Sequence, residues 1–355
     1  MKRLAQMQRP DRQVARAESQ VWWPSSSLAA CLLLFLLATP AAAQQATHVL
    51  VVVGLAGDLE NADRFHQWAV TLVNAARGRY ALPAERVIYL AEDPSRDPAR
   101  IAGRSTREGV TGAVERIAAR ARPGDLVLVV LIGHGASATG GARFNLPGPD
   151  LTAVEFGKLL QRLSAQSVVF ANTASASGGF VAALSGKGRT IVTATRNDGE
   201  KNQTRFGEYF AGAFAEAGED ADTDKDGRVS VLEAFQWARA RTADSYNREG
   251  QLLTEHAVLD DNGDGQGADA PGQPGGDGAL ARTLFMAAGG ASTSSADQSD
   301  PEVRALIAQR GELEAKIAAL RAAKDGTDPA TYARDLEQLL VELARVNRAV
   351  REKRK

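Results

Sequence analysis

Asp222-Thr223-Asp224-Lys225-Asp226-Gly227-Arg228-Val229-Ser230-Val231-Leu232-Glu233 spaces its oxygen donors as an EF-hand loop does. Asp222, Asp224 and Asp226 fill positions 1, 3 and 5, and Gly227 permits the sharp turn at 6. Arg228 offers its carbonyl at 7, Ser230 stands at 9, and Glu233 is the bidentate carboxylate at 12. A hard cation that accepts about six to eight oxygen ligands suits this set, and Ca2+ is the expected ion. Asp260-Asp261-Asn262-Gly263-Asp264-Gly265 repeats the first half of such a loop, but its twelfth position is Pro271. Without a closing carboxylate it reads as an Asp/Gly turn, able to pair with the first loop or to share Asp269 as a ligand. His256, just upstream, reads as a packed or surface histidine rather than a ligand.

Two further segments end apolar runs on polar side chains. Leu126–Ile132 is the most apolar run after residue 43, and it stops on Gly133-His134-Gly135. Ser167–Phe170 opens into Ala171-Asn172-Thr173-Ala174-Ser175-Ala176-Ser177-Gly178-Gly179. Glycines at these points let backbone or ligand come close. Either segment alone would read as a satisfied histidine or a polar turn.

The elements that position them alternate in type. Thr47–Val53, Val87–Leu90, Leu126–Ile132, Ser167–Phe170 and Thr190–Ala194 read as strands, the first and third apolar enough to be buried on both faces. Between them, Ala62–Ala76, a segment from the Ser105-Thr106-Arg107-Glu108 cap to Ala121, Leu151–Leu163 and Gly179–Leu184 have helical spacing. Phe206–Ala217 and Val231–Tyr246 flank the acidic loop, and Ala279–Met286 is expected to close the domain as a short helix. Strand–helix alternation implies a parallel sheet covered on both faces, with sites beyond the carboxyl ends of its strands.

Lys+Arg number 42 and Asp+Glu 43, a formal net charge of -1, which gives no global basic excess for nucleic acid. Residues 1–20 carry Lys2, Arg3, Arg9, Arg12 and Arg16 against Asp11 and Glu18; the apolar run Leu28–Ala38 and Thr39-Pro40-Ala41-Ala42-Ala43 follow. A positive start, a short apolar core and small residues before a break are the parts of a secretory signal, cleaved after Ala43. The run is too short to span a bilayer, which needs about 20 residues. The single cysteine, Cys31, would leave with it, so the exported domain, periplasmic or secreted, has no disulfide and no thiol nucleophile.

A hydrophobic block ending in His-Gly, followed by one ending in Ala-Cys-x-Ser-Gly, is the pattern of the legumain/caspase clan of cysteine peptidases, and this chain resembles it. The legumain form reads without a gap onto Val169–Gly178, and Arg64–Ala69 and Phe144-Asn145-Leu146-Pro147 are similar too. The resemblance runs from Thr47 to Tyr246. It implies an αβα sandwich of caspase-like type, with a mainly parallel sheet. It also implies that His134 is the base, that the amides of Gly135 and Ser175 form the oxyanion hole, and that Ser175 stands where the family has its cysteine. No asparagine in Gly54–Asp58 matches the one that assists the legumain histidine. A thiol with pKa about 8.5 is partly thiolate near neutrality, whereas a serine needs a base in direct contact, itself held by a third group. The expected reading is therefore a pseudoenzyme that binds peptide or protein partners through its pocket. Two alternatives stand beside it: a serine-dependent hydrolase using Ser175 and His134, with Thr173 and Ser177 as fallback nucleophiles, and a calcium-binding scaffold.

The domain, 44–288, gives way to a Gly/Ser/Thr-rich linker at 289–300 and two helical stretches over 301–355. Tyr332, Leu336, Leu339, Leu343, Val346 and Val350 make a heptad seam, and Leu306, Leu313, Ile317 and Leu320 a comparable stripe. They form an intramolecular hairpin or an oligomeric coiled coil.

Overall fold

Valine- and leucine-rich runs that leave no polar face can only lie in the middle of a sheet, and here they do. The structure, a computed structural model, describes residues 46–215, 218–225, 227–273, 276–288 and 328–353, with separate helical positions between 302 and 320. The expected export signal, the expected linker, Asp226 and much of the expected first tail helix lie outside the described residues. No described helix is long and apolar enough to cross a membrane.

In chain order the elements are β1 (Thr47–Val53), α1 (Leu59–Arg77), β2 (Val87–Ala91), β3 (Gly103–Arg104), α2 (Arg107–Arg120) and β4 (Leu126–Ile132). A small antiparallel sheet follows, β5 (Gly135–Ala138), β6 (Gly141–Phe144) and β7 (Leu151–Thr152), then α3 (Ala153–Leu160), β8 (Ser167–Asn172), α4 (Val181–Leu184) and β9 (Arg189–Thr193). The domain continues through α5 (Phe206–Ala213), α6 (Gly218–Ala221), α7 (Val231–Arg248) and β10 (Val258–Asp260). The main sheet has the order β10-β9-β8-β4-β1-β2-β3. Only β10 runs antiparallel, pairing Leu259 with Val192. Alternate side chains feed two cores. Val49, Val51, Leu128 and Val130 meet α1, α5 and α7 on one face, while Leu50, Val52, Val127 and Val129 meet α2, α3 and α4 on the other. This is the expected caspase-like αβα sandwich.

Local chemistry moves several boundaries. Helix α2 is capped by Thr106, within the expected Ser105–Glu108 start, and its Oγ1 accepts from Gly109 N at 3.2 Å. Leu151 and Thr152 pair with β6 before the helix begins, because Thr152 and Glu155 form a capping box there. Helix α5 ends at Ala213. The helix expected over Ala279–Met286 is a single turn, Ala281–Thr283; Leu284 then extends, its carbonyl accepting from Val231 N, and Phe285 bridges Ser230.

The amino-terminal pole of the sheet is a clamp. Thr47 N donates to Ala287 O, Ala287 N donates to Thr47 Oγ1, and Ala46 N donates to Asp125 Oδ1. His48, buried beside Asp125 at 3.4 Å, is held below its ordinary value by burial, and burial does the same to His66. Both imidazoles protonate more readily in the unfolded chain, so their contribution is intact above the unfolded value of 6.5 and falls as pH drops below it. Stability should decline from pH 7 toward pH 5 by up to about 1.4 kcal/mol per pH unit for each imidazole kept neutral. His48→Gln should flatten the melting-temperature profile, and an unchanged slope would contradict this account.

In the tail, α8 (Pro329–Lys353) buries Val346 and Val350 but leaves Tyr332, Leu336, Leu339 and Leu343 half-buried. Leu313 and Ile317 are buried as well, and Lys353 pairs with Glu302, the end-to-start contact an antiparallel hairpin requires.

Candidate functional site

Strands β1, β4, β8 and β9 end side by side, and the polar segments that follow them meet. His134 leaves β4 and packs edge-on against Phe65 of α1, with ring centroids 5.3 Å apart. Its Nε2 lies 3.1 Å from Ala56 O; a carbonyl can only accept, so the proton is on Nε2 and Nδ1 is the basic nitrogen of the neutral ring. Ser175 leaves β8 and is buried. Its hydroxyl is engaged by one residue: Gly135 N donates to Ser175 Oγ at 3.2 Å, and Oγ donates to Gly135 O at 3.1 Å. No hydrogen bond joins His134 to Ser175 among the described residues. The hydroxyl thus takes up the Gly135 amide that the sequence reading assigned to an oxyanion. Gly135 is required by this contact, since a Cβ would lie 2.3 Å from Ser175 O.

The fallback nucleophiles are structural. Thr173 Oγ1 donates to Leu131 O at 2.8 Å. Ser177 is fully buried, 3.1 Å from Thr195 Oγ1, and accepts from Thr195 N. Beside it, Gly178 packs so closely on the Arg196–Asn197 backbone that a Cβ would lie 2.2 Å from Asn197 N.

A residue the sequence reading did not single out organises this turn. Ala176 adopts a left-handed backbone, φ 53°, at a cost of order 1 kcal/mol for a side chain with Cβ. Its amide donates to Glu200 O at 2.8 Å. The Glu200 carboxylate accepts from Arg196 N, His256 N and His256 Nδ1, at 3.1, 3.0 and 2.8 Å. His256, expected as a packed or surface residue, is thus the partner that fixes Glu200, and Glu200 holds the turn after Ser175. Asp269 pairs with Arg196 at 3.0 Å.

The first acidic loop folds as its spacing demands. Oxygens of Asp222, Asp224 and Glu233 all lie within 4.8 Å of one another. Glu233 ties the loop's two ends: Oε1 accepts from Thr223 N at 2.9 Å, and Oε2 accepts from Ser230 N and Oγ at 2.9 and 2.8 Å. Ser230 in turn caps α7, Val229 is fully buried, and Gly227 N donates to Asp222 Oδ2. Arg228 lays its guanidinium over the Phe285 ring at 4.0 Å, which leaves only its backbone carbonyl for the loop's seventh position. Three carboxylates converging within ion-binding distance fit a hard cation.

The model of the peptidase C13 family matches residues 103–259, a span that holds His134, Ser175 and the acidic loop. Among solved structures, the chain is similar to the Drosophila initiator caspase Dronc, at 10% identity and TM-score 0.37, over 62% of this chain and 81% of that one. It is also similar to drICE, at 10% identity and TM-score 0.35, over 62% of this chain and 88% of that one. No curated protein matches.

Proposed function

We propose that this chain, a homologue of the legumain/caspase-like peptidases, is an exported, non-catalytic member that binds a peptide or protein partner at the strand-end site. The observation that carries the reading is the Ser175 hydroxyl, bonded in both directions to Gly135 rather than to His134. A neutral hydroxyl so placed is neither deprotonated by a base nor clear of the amide that would stabilise an oxyanion. Exposure to a fluorophosphonate, read by intact mass, should leave Ser175 unlabelled; stoichiometric labelling there would establish a working serine hydrolase instead.

The acidic loop belongs to this reading as a Ca2+ site, with Asp222, Asp224, Glu233 and the Arg228 carbonyl among its oxygens and Ser230 at its ninth position. Calcium binding only the native state stabilises it by mass action. Millimolar Ca2+ should raise the melting temperature, and Glu233→Gln or Asp224→Asn should reduce that rise. Identical melts of the native protein in Ca2+ and in chelator would rule the site out.

The seam of α8, covered at its carboxyl end and only half-covered before it, supports self-association through the tail. Light scattering should then report an oligomer for the full chain and a monomer for the chain cut after residue 300; a full chain already monomeric at micromolar concentration would leave the tail an intramolecular hairpin.

A further inference from the structure

Strand β10 ends on Asp260, and its carboxylate sits in an unusual position. Asp260 is 1% exposed; Oδ1 accepts from Gly263 N at 3.1 Å, while Oδ2 is buried and meets no donor among the described residues. Leaving one oxygen of a buried carboxylate without a donor costs roughly 1–3 kcal/mol or more. From the other side, Asp277, 5% exposed, accepts from Asp261 N at 2.9 Å and Asn262 N at 3.2 Å through Oδ1. Both carboxylates therefore bear on the amides of one short turn, residues 261–263.

Asp261 faces elsewhere: its oxygens accept from Gly278 N and Ala281 N at 2.8 and 2.7 Å. Among the described residues no ion pair reaches Asp260, Asp261 or Asp277. Burial pushes Asp277 upward, and the charges of Asp260 and Asp261 add to it. Concentrated negative charge without a countercharge is what a buried site ordinarily avoids.

We propose that Asp260 and Asp277 hold a divalent cation of the hard, oxygen-seeking kind, at a second site separate from the Asp222–Glu233 loop. The residues supply the chemistry. Asp260, Asn262 and Asp264 have the 1-3-5 spacing of a calcium loop, with Gly265 at 6, and Pro271 denies it a carboxylate at 12. Asp277, distant in sequence, supplies the missing charge at the turn, and the ion would take up the orphan Oδ2 of Asp260. The two loops share a neighbour, since Gly272 and Gly278 lie against the Leu232 side chain in the first turn of α7. This site stands whether or not the strand-end pocket binds a partner.

Calorimetric titration of chelator-treated full-length protein with CaCl2 separates the loops. Glu233→Gln protein is expected to keep one Ca2+ per chain, and adding Asp260→Asn or Asp277→Asn should remove it. A sign reversal is also expected. In chelator Asp260→Asn should melt at or above the parent, because an uncompensated charge has gone; in saturating Ca2+ it should melt below. Calcium uptake untouched by both asparagine variants, each folded by circular dichroism, would overturn the proposal. So would an Asp260→Asn protein that melts higher in both conditions, which would mean that the carboxylates share a proton rather than an ion.

Discussion

Ser175→Cys should turn an inert position into a reactive thiol, alkylated by iodoacetamide roughly fivefold to tenfold faster than a free cysteine at pH 7. Sulfur is too large for the cradle that holds the hydroxyl between Gly135 N and O at 3.2 and 3.1 Å, so the side chain must turn out of it, toward the adjoining strand end that carries His134. A free thiol of pKa about 8.5 is only a few per cent thiolate at pH 7, and an adjacent imidazolium raises that fraction. The gain is capped because nucleophilicity falls with pKa. His134→Ala in the same background should return the rate toward that of free thiol, and the rate–pH profile should lose its low-pH limb. A thiol that stays unlabelled under native conditions, with or without His134, would mean that the inherited frame encloses a closed pocket.

Removing the Glu200 carboxylate should have the second largest effect. Glu200→Ala deletes the acceptor of three donors, Arg196 N, His256 N and His256 Nδ1, and frees the segment whose carbonyl pins Ala176. At about 1 kcal/mol or somewhat more for each of the three charged hydrogen bonds, native stability should fall by roughly 3–4 kcal/mol. The left-handed Ala176 should relax, and in Ser175→Cys protein labelling should change several-fold. Glu200→Gln, which keeps one carbonyl acceptor, should restore part of both. If Glu200→Ala alters the melt but not the thiol rate, the carboxylate supports the fold without positioning the site.

How far the sequence disclosed these features depends on how local each cause is. Leu126–Ile132 and Thr47–Val53 could only be central strands, since every residue but His48 is apolar or β-branched, and the structure buries all of both. The Asp222–Glu233 loop was legible because its acidic residues fall within twelve consecutive positions. Strands β5, β6 and β7 were not, being short and rich in small residues, with pairing that arises only once β4 delivers Gly135 opposite Phe144. Glu200 gave no signal: its partners lie 56 residues away in His256 and across a turn in Ala176. Asp277 escaped for the same reason, in a Gly/Pro-rich stretch that reads as surface loop until the Asp261–Asn262 amides turn toward it. The Ser105–Glu108 segment marked the start of α2, and of its two adjacent hydroxyls Thr106 is the one that caps it.

The clamp at the amino-terminal pole decides which way the domain looks out. Residues 46 and 287 enter and leave side by side, joined by Thr47 and Ala287. The site begins at the far end of β1, seven residues on, or about 23 Å at roughly 3.3 Å per residue. The described ends of the domain thus meet at one pole of the sheet, and the strand-end site lies at the other. A segment joined at that pole must pass the whole height of the sheet to reach the site.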